Sequence, residues 1–60
     1  NIKIARKSIV AKKDIKKGDI LSHDNLAIKR PGNGMSPLRW DEIIGTIATC
    51  NYNENDLINQ

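Results

Sequence analysis

The segment KRPGNGMSP holds Arg30, the side chain whose setting most suggests binding chemistry. Pro31 fixes its own φ and pushes Arg30 towards extended conformations. Gly32 and Gly34 permit a close backbone approach to another surface, and Asn33 tolerates a left-handed turn. The guanidinium has five donors in a fixed geometry, which suit carbonyl and hydroxyl acceptors better than a lysine does. The same arginine is also compatible with a surface residue that pairs with its surroundings.

The remaining polar residues do not form a catalytic constellation. His23 is the single histidine, so no histidine metal pair and no catalytic triad can form within the chain. Asp41 and Glu42 are adjacent on a predicted helix, so their side chains point in different directions. Their negative charges are better explained by a favourable interaction with the helix dipole in the first turn than by acid–base catalysis. The PGNG stretch lacks the Lys-Ser/Thr pair of a phosphate-binding loop. We therefore expect no catalytic residue and no metal ligand here, and the isolated chain is predicted not to be an enzyme.

Cysteine use and the absence of export signals suggest where the protein works. Cys50 is the single cysteine, so no intrachain disulfide and no cysteine zinc site is possible, and we expect it to be a small buried hydrophobe. Neither a signal peptide nor a membrane span is recognisable. These features predict a cytoplasmic protein with no membrane partner. The chain starts at Asn1 instead of Met, which indicates a piece of a larger protein.

The net charge of +3 is concentrated in the first seventeen residues. Such a basic region is one signature of nucleic-acid binding. However, its lysines alternate with aliphatic residues, and no aromatic side chain is interleaved to stack on a base. A solvated face is the better interpretation, and we expect no nucleic-acid partner.

Short strands and turns must position the arginine segment. Residues 2–11 begin with alternating apolar and polar side chains and continue with a β-branched run, a pattern that predicts extended structure. Residues 27–29 are predicted to form a second short extended segment. Between them, Gly18 can take a positive φ in a tight turn, and Ser22 can cap a single helical turn. After the arginine segment, a short helix is expected, with Ser36 as N-cap, Pro37 at the first position and Gly45 as its stop.

The apolar residues around that helix have two possible roles. Leu38, Ile43, Ile44 and Trp40 are expected to face the core of a domain too small to bury much surface. Met35, Leu38 and Trp40 could instead form an apolar patch that docks on another domain. The sequence leaves both roles open.

The chain also repeats itself at a distance of thirty-seven residues. When VAKKDIKKGDILS is placed over IATCNYNENDLIN, Ile15 meets Tyr52, Asp19 meets Asp56, and Gly18 meets Asn55. Asparagine is the other residue type that tolerates positive φ. We predict a strand, tight turn and strand used twice, with two similar units packed across a pseudo-two-fold axis.

The succession SIVAKKDIKKGDILSHDNLAIKRPGNGMSP, then WDEIIG, then ATCN, resembles the C-terminal antifreeze-like (SAF) domain of bacterial sialic acid (N-acetylneuraminate) synthases. That domain is related in fold to fish type III antifreeze protein. The resemblance covers nearly the whole chain, and KRPGNG is its most specific motif. It implies a mostly β fold, a compact β-clip of short strands with single-turn helices and internal pseudo-symmetry. Residues 1–60 would form one such domain, a fragment of a synthase whose catalytic barrel is absent from this chain.

The resemblance also implies a shared mechanism. In this family a barrel domain condenses phosphoenolpyruvate with an N-acetylated amino sugar, using Mn²⁺ or Mg²⁺ bound in the barrel, while the antifreeze-like domain itself needs no cofactor. The parent is a domain-swapped homodimer in which each antifreeze-like domain covers the barrel of the partner subunit. One arginine of the domain reaches the sugar near its N-acetyl group. By motif this arginine is Arg30, presented by a loop of Lys29, Pro31, Gly32, Asn33 and Gly34.

Two other functions compete with this interpretation. One is a SAF domain in a different host protein, such as a pilus or flagellar assembly factor or a sugar-acid dehydratase, but these relatives need not present the KRPGNG loop. The other is ice binding, which needs a flat and largely apolar surface. The corresponding segment here is instead rich in charged residues, namely Lys12, Lys13, Asp14, Lys16, Lys17 and Asp19.

Overall fold

A computed structural model describes residues 6–30 and 32–60 of the chain. Pro31 and the expected extended residues 2–5 lie outside the described residues. Within the described part, no helix is long and apolar enough to cross a membrane.

Two short antiparallel strands form the only regular sheet of the described residues. Strand β1, Ser8–Ala11, pairs with strand β2, Leu26–Lys29, so that Ser8 lies opposite Lys29 and Ala11 opposite Leu26. All four residues of β1 are buried, which suits its run of small and β-branched side chains. Both strands lie where the sequence predicts extended structure. Isolated bridges elsewhere make the domain mostly β.

The helical segment begins and ends as its sequence predicts. A 3₁₀ turn, Pro37–Arg39, leads directly into the short helix α1, Trp40–Ile43. The Ser36 side chain accepts a hydrogen bond from the Leu38 amide at 3.2 Å, and Pro37 occupies the first helical position. Gly45 then takes a φ of 91°, which a side chain would disfavour. The predicted N-cap, first position and stop are therefore confirmed.

The core is aliphatic apart from one tyrosine. Its buried members are Ile9, Ala11, Ile15, Leu21, Leu26, Met35, Ile43, Ala48, Tyr52 and Ile58, with Trp40 and Ile44 packed partly buried against them. Leu38 is 94% exposed, so its predicted place in the core is wrong. None of the residues of the 3₁₀ turn is buried, because the helical segment reaches the core only through α1.

The prediction that Cys50 is buried is also wrong, because this side chain is exposed. Ala48 and Tyr52 face the core on either side of it. The chain bends outwards between these two anchors, at Thr49 and Cys50, instead of continuing as a strand.

The two turns related by thirty-seven residues have matching geometry. Gly18 has a φ of 96° and Asn55 has a φ of 73°. In the first turn the Lys16 amide donates to the Asp19 carboxylate at 3.0 Å. In the second turn the Asn53 amide donates to the Asp56 carboxylate at 2.8 Å. The positive φ expected for Gly18 is confirmed, and an acidic side chain closes each turn.

Hydrogen bonds between the two turns are also reciprocal. Ile15 and Tyr52 exchange both of their backbone hydrogen bonds, each at 2.8 Å. The Lys17 amide donates to the Asn51 side chain at 2.7 Å, and the Glu54 amide donates to the Asp14 side chain at 2.9 Å. Each of these bonds corresponds to the other after a shift of thirty-seven residues. The pseudo-two-fold axis itself stays a prediction.

Candidate functional site

Arg30 is the first residue after β2, and its side chain is exposed. Among the described residues, the structure gives its guanidinium no hydrogen bond and no ion pair. Arg39 differs in this respect, because its Nε lies 3.6 Å from the Glu42 carboxylate. Within the described part of the chain, the Arg30 guanidinium therefore keeps its donors available for a ligand.

The start of the arginine loop is held on the body of the domain. Lys29 pairs with Ser8 in the sheet, and its ammonium group donates to the Asn55 side chain at 2.8 Å. Lys29 is exposed, but its head group is bound to the second turn. The residue directly before Arg30 is thus fixed by both its backbone and its side chain.

The end of the loop is attached to the same strand. The Gly34 amide donates to the Ser8 hydroxyl at 2.9 Å, and the Ile9 amide donates to the Met35 carbonyl at 3.0 Å. The Met35 side chain is buried in the core. Because both ends of the loop are bonded to β1, the position of Arg30 depends on a buried strand.

The loop glycines approach this domain's own surface, whereas the sequence suggested an approach to another surface. A Cβ at Gly34 would lie 2.8 Å from the Leu57 side chain, closer than real side chains approach. A Cβ at Gly32 would collide with the Cβ of Arg6 and lie 2.9 Å from its backbone carbonyl carbon. Asn33 tolerates a left-handed turn but does not take one, since Asn55 is the non-glycine residue with positive φ in the described chain.

Two open grooves lie beside the loop, and Gly34 lines both of them. The larger groove, of about 530 Å³, is lined by Asn33, Gly34, Met35, Arg39 and residues 57–60. The smaller groove, of about 350 Å³, is lined by Arg6, Lys7, Gly32, Gly34, Ser36 and Pro37. The smaller groove contains two basic side chains and no acidic one, so the surface around the loop favours a neutral polar or anionic neighbour.

A buried phenol supports the end of the chain at the larger groove. The Tyr52 hydroxyl lies 2.9 Å from the Gln60 side-chain oxygen and accepts a hydrogen bond from the Asn59 amide at 3.3 Å. Burial raises the pKa of this hydroxyl above its ordinary value of 10.0, and the protonated hydroxyl donates to Gln60. Gln60 in turn donates to the Ile47 carbonyl at 2.9 Å. These bonds hold the groove-lining residues 58–60 in place.

The other polar residues considered from the sequence, His23, Asp41 and Glu42, are all exposed. His23 is exposed, and its ring lies 5.6 Å from the Trp40 ring, with the two planes tilted by 50°. Asp41 and Glu42 are exposed on α1. In residues 6–30 and 32–60, no three His, Cys, Asp or Glu side chains are placed to hold a metal ion.

Sequence reasoning missed three residues that hold the loop. Ser8 and Leu57 contact Gly34, and Asn55 binds the Lys29 side chain. Asn55 could have been found, because the repeat aligns it with Gly18 and so places it in a turn. Nothing in the local sequence connects Ser8 or Leu57 with the arginine loop.

Comparisons with known proteins agree with this fold. A family model described as the SAF domain matches residues 6–60. The N,N'-diacetyllegionaminic acid synthase of Campylobacter jejuni subsp. jejuni serotype O:2 is 60% identical over 60 residues, which are 100% of this chain and 18% of that protein. The pseudaminic acid synthase of the same organism is 33% identical over 58 residues, 97% of this chain and 17% of that protein.

Another organism has a relative as well. An uncharacterised protein of Methanocaldococcus jannaschii is 44% identical over 54 residues, 90% of this chain and 16% of that protein. The chain thus spans less than a fifth of the length of the curated relatives it matches. Since the family model extends over nearly the whole described structure, the chain belongs to the SAF domain family.

Proposed function

We propose that this chain is the SAF domain of a sugar-acid synthase that condenses phosphoenolpyruvate with an N-acetylated amino sugar. Two relatives support this proposal, because one is named a legionaminic and the other a pseudaminic acid synthase. The proposal places the reaction in a barrel domain outside this chain.

In this proposal the domain covers the active site of the partner subunit in a homodimer and binds the sugar through Arg30. The observation that carries the proposal is the exposed Arg30 guanidinium, which makes no hydrogen bond or ion pair among the described residues, on a loop bonded at both ends to β1. A lid that brings in a binding group must present that group without first breaking contacts within its own domain. Arg39, paired with Glu42, does not meet this condition.

The guanidinium suits the N-acetyl group for physical reasons. Its planar N–H donors can reach an amide carbonyl and a neighbouring hydroxyl at the same time. A carbonyl in a site closed to water gains more from such a donor than one in solvent does, because the competing hydrogen bonds to water are gone. The anchored loop has less conformational freedom to lose when the ligand binds, which favours affinity.

The metal and the remaining partners belong to the rest of the proposed protein. The barrel would hold Mn²⁺ or Mg²⁺, and this domain would contact the barrel of the partner subunit and the bound sugar. Leu38 is the best candidate for an apolar contact with that barrel, since it is almost fully exposed, whereas Met35 is buried. We also infer that the domain has a pseudo-two-fold axis between its two turns, which the reciprocal hydrogen bonds support.

The proposed reaction predicts a simple assay. Mixing the full-length protein with phosphoenolpyruvate, an N-acetylated amino sugar and Mn²⁺ should release inorganic phosphate. Release should require both substrates and should stop when a chelator removes the metal. N-acetylmannosamine and amino sugars with two N-acetyl groups should be compared, since the relatives make different acids. Phosphate release that does not depend on any amino sugar in this panel would contradict the proposed function.

A further inference from the structure

The loop after Arg30 contains a chemically labile peptide step. Asn33 is followed by Gly34, and this is the one Asn-Gly pair in the sequence. Asparagine is among the thermolabile residues of proteins. A following glycine removes the side chain that would hinder attack on the amide and allows more backbone conformations. Asn33 is exposed, so water can reach its side chain.

We propose that Asn33 is a site of spontaneous deamidation and that the hydrogen bond from Gly34 to Ser8 restrains this reaction in the folded protein. The Gly34 amide nitrogen loses its proton and attacks the side-chain carbonyl carbon of Asn33. A bond forms between this nitrogen and Cγ of Asn33, the bond between Cγ and the side-chain nitrogen Nδ2 breaks, and Nδ2 leaves as ammonia with the proton lost from Gly34. The resulting succinimide adds one water molecule and opens to aspartate or isoaspartate at position 33, without any change in oxidation state.

The geometry of Gly34 opposes the attack. Its N–H, which must be lost, donates to the Ser8 hydroxyl at 2.9 Å, and Ser8 is fully buried on β1. The following residue is also held, since the Met35 carbonyl accepts from the Ile9 amide at 3.0 Å. The nitrogen therefore cannot turn towards the Asn33 side chain unless the loop end leaves β1. Exposure of Asn33 and restraint of Gly34 are thus separate properties of the site.

Packing around position 34 disfavours a larger residue than glycine. A Cβ at position 34 would lie 2.8 Å from Cδ2 and 3.3 Å from Cγ of Leu57. A side chain at this position would therefore require the Leu57 side chain to shift, whatever residue precedes it. Deamidation would add a negative charge three positions after Arg30, at the edge of the larger groove.

The first test compares folded and unfolded protein. The full-length protein is incubated at mildly alkaline pH with and without a denaturing concentration of urea, and peptide mapping by mass spectrometry measures aspartate and isoaspartate at position 33. Reaction through a locally opened state follows the population of that state. We expect deamidation to be slower by roughly tenfold or more in the folded protein. Equal rates in the two conditions, or no product at position 33 in urea, would overturn the proposal.

The second test removes the restraint itself. Ser8→Ala deletes the acceptor of the Gly34 amide and should speed deamidation of the folded protein by about fivefold, the effect of losing one ordinary hydrogen bond. Ser22→Ala is the matched control, because the Ser22 hydroxyl also accepts a backbone amide, that of Asp24 at 3.2 Å, away from this loop. Asn33→Gln should abolish the product. An unchanged rate in a Ser8→Ala protein that remains folded would also overturn the proposal. If the Ser8→Ala variant unfolds, the comparison of deamidation rates with and without urea still tests the proposal.

Discussion

Replacing Arg30 by alanine in the full-length protein is expected to lower kcat/KM for the amino sugar by tenfold or more. A tenfold loss corresponds to about 1.4 kcal/mol of transition-state stabilisation. The guanidinium has no partner among the described residues, so in the proposed role its removal takes away only contacts with the ligand. The KM for phosphoenolpyruvate should not change, since that substrate would bind in the barrel. Steady-state kinetics with each substrate varied in turn measures both effects.

The matched control for this variant is Arg39→Ala. Arg39 is exposed like Arg30 but is paired with Glu42 on the neighbouring turn. An exposed pair of this kind contributes little to stability, so its loss should affect neither kinetics nor melting temperature noticeably. Equal kinetic losses in the two variants would indicate a general charge effect, and the assignment of sugar binding to Arg30 would then be wrong.

Replacing Leu21 by alanine is expected to unfold much of the domain. The Leu21 side chain is fully buried, and truncating such a leucine costs about 2–5 kcal/mol. A domain of 60 residues has a total stability of only about 3–9 kcal/mol. The change therefore removes a large fraction of the free energy of unfolding. Thermal unfolding followed by circular dichroism measures this loss on the 60-residue chain.

Leu38→Ala tests the same chemical change at the surface. Leu38 is 94% exposed, so the substitution should alter the free energy of unfolding by no more than about 0.5 kcal/mol. A large loss at Leu38, or a small one at Leu21, would show that the core is arranged differently from the one described. If Leu38 contacts the barrel, its replacement should affect only the full-length protein.

Local sequence rules predicted the parts of the fold that local interactions determine. Gly18 and Gly45 take positive φ because each lies where the chain must turn sharply. Ser36 and Pro37 begin the helical segment because their chemistry satisfies or removes free backbone amides. The repeat also indicated that Asn55 would occupy a turn like that of Gly18. Both turns depend on bonds within four residues.

Burial was harder to predict, because it depends on how distant segments meet. Leu38 has the apolar side chain expected of a core residue, but the helical segment approaches the core only one turn later. Cys50 is usually a buried residue type, but the chain bends outwards between Ala48 and Tyr52. In both cases the residue type was a poor guide to the path of the backbone.

In the candidate site too, local features could be predicted from the sequence, whereas contacts between distant segments could not. KRPGNG indicated Arg30 and its loop as a candidate site, because the motif lies within one short segment of sequence. The bonds that hold the loop join residues far apart in the chain, Ser8 to Gly34 and Lys29 to Asn55. The neighbours of the loop glycines were missed for the same reason, since they are Arg6 and Leu57 of this domain.

The most direct test of sugar binding by Arg30 combines a protein change with a substrate change. kcat/KM is measured for natural and Arg30→Ala full-length protein, each with the N-acetylated amino sugar and with the same sugar lacking the acetyl group. If the guanidinium contacts the N-acetyl carbonyl, each single change should cost about 1.4 kcal/mol or more, and the double change little beyond the larger single loss. Strictly additive losses would mean that Arg30 and the N-acetyl group do not interact, and would contradict the proposed role of this domain.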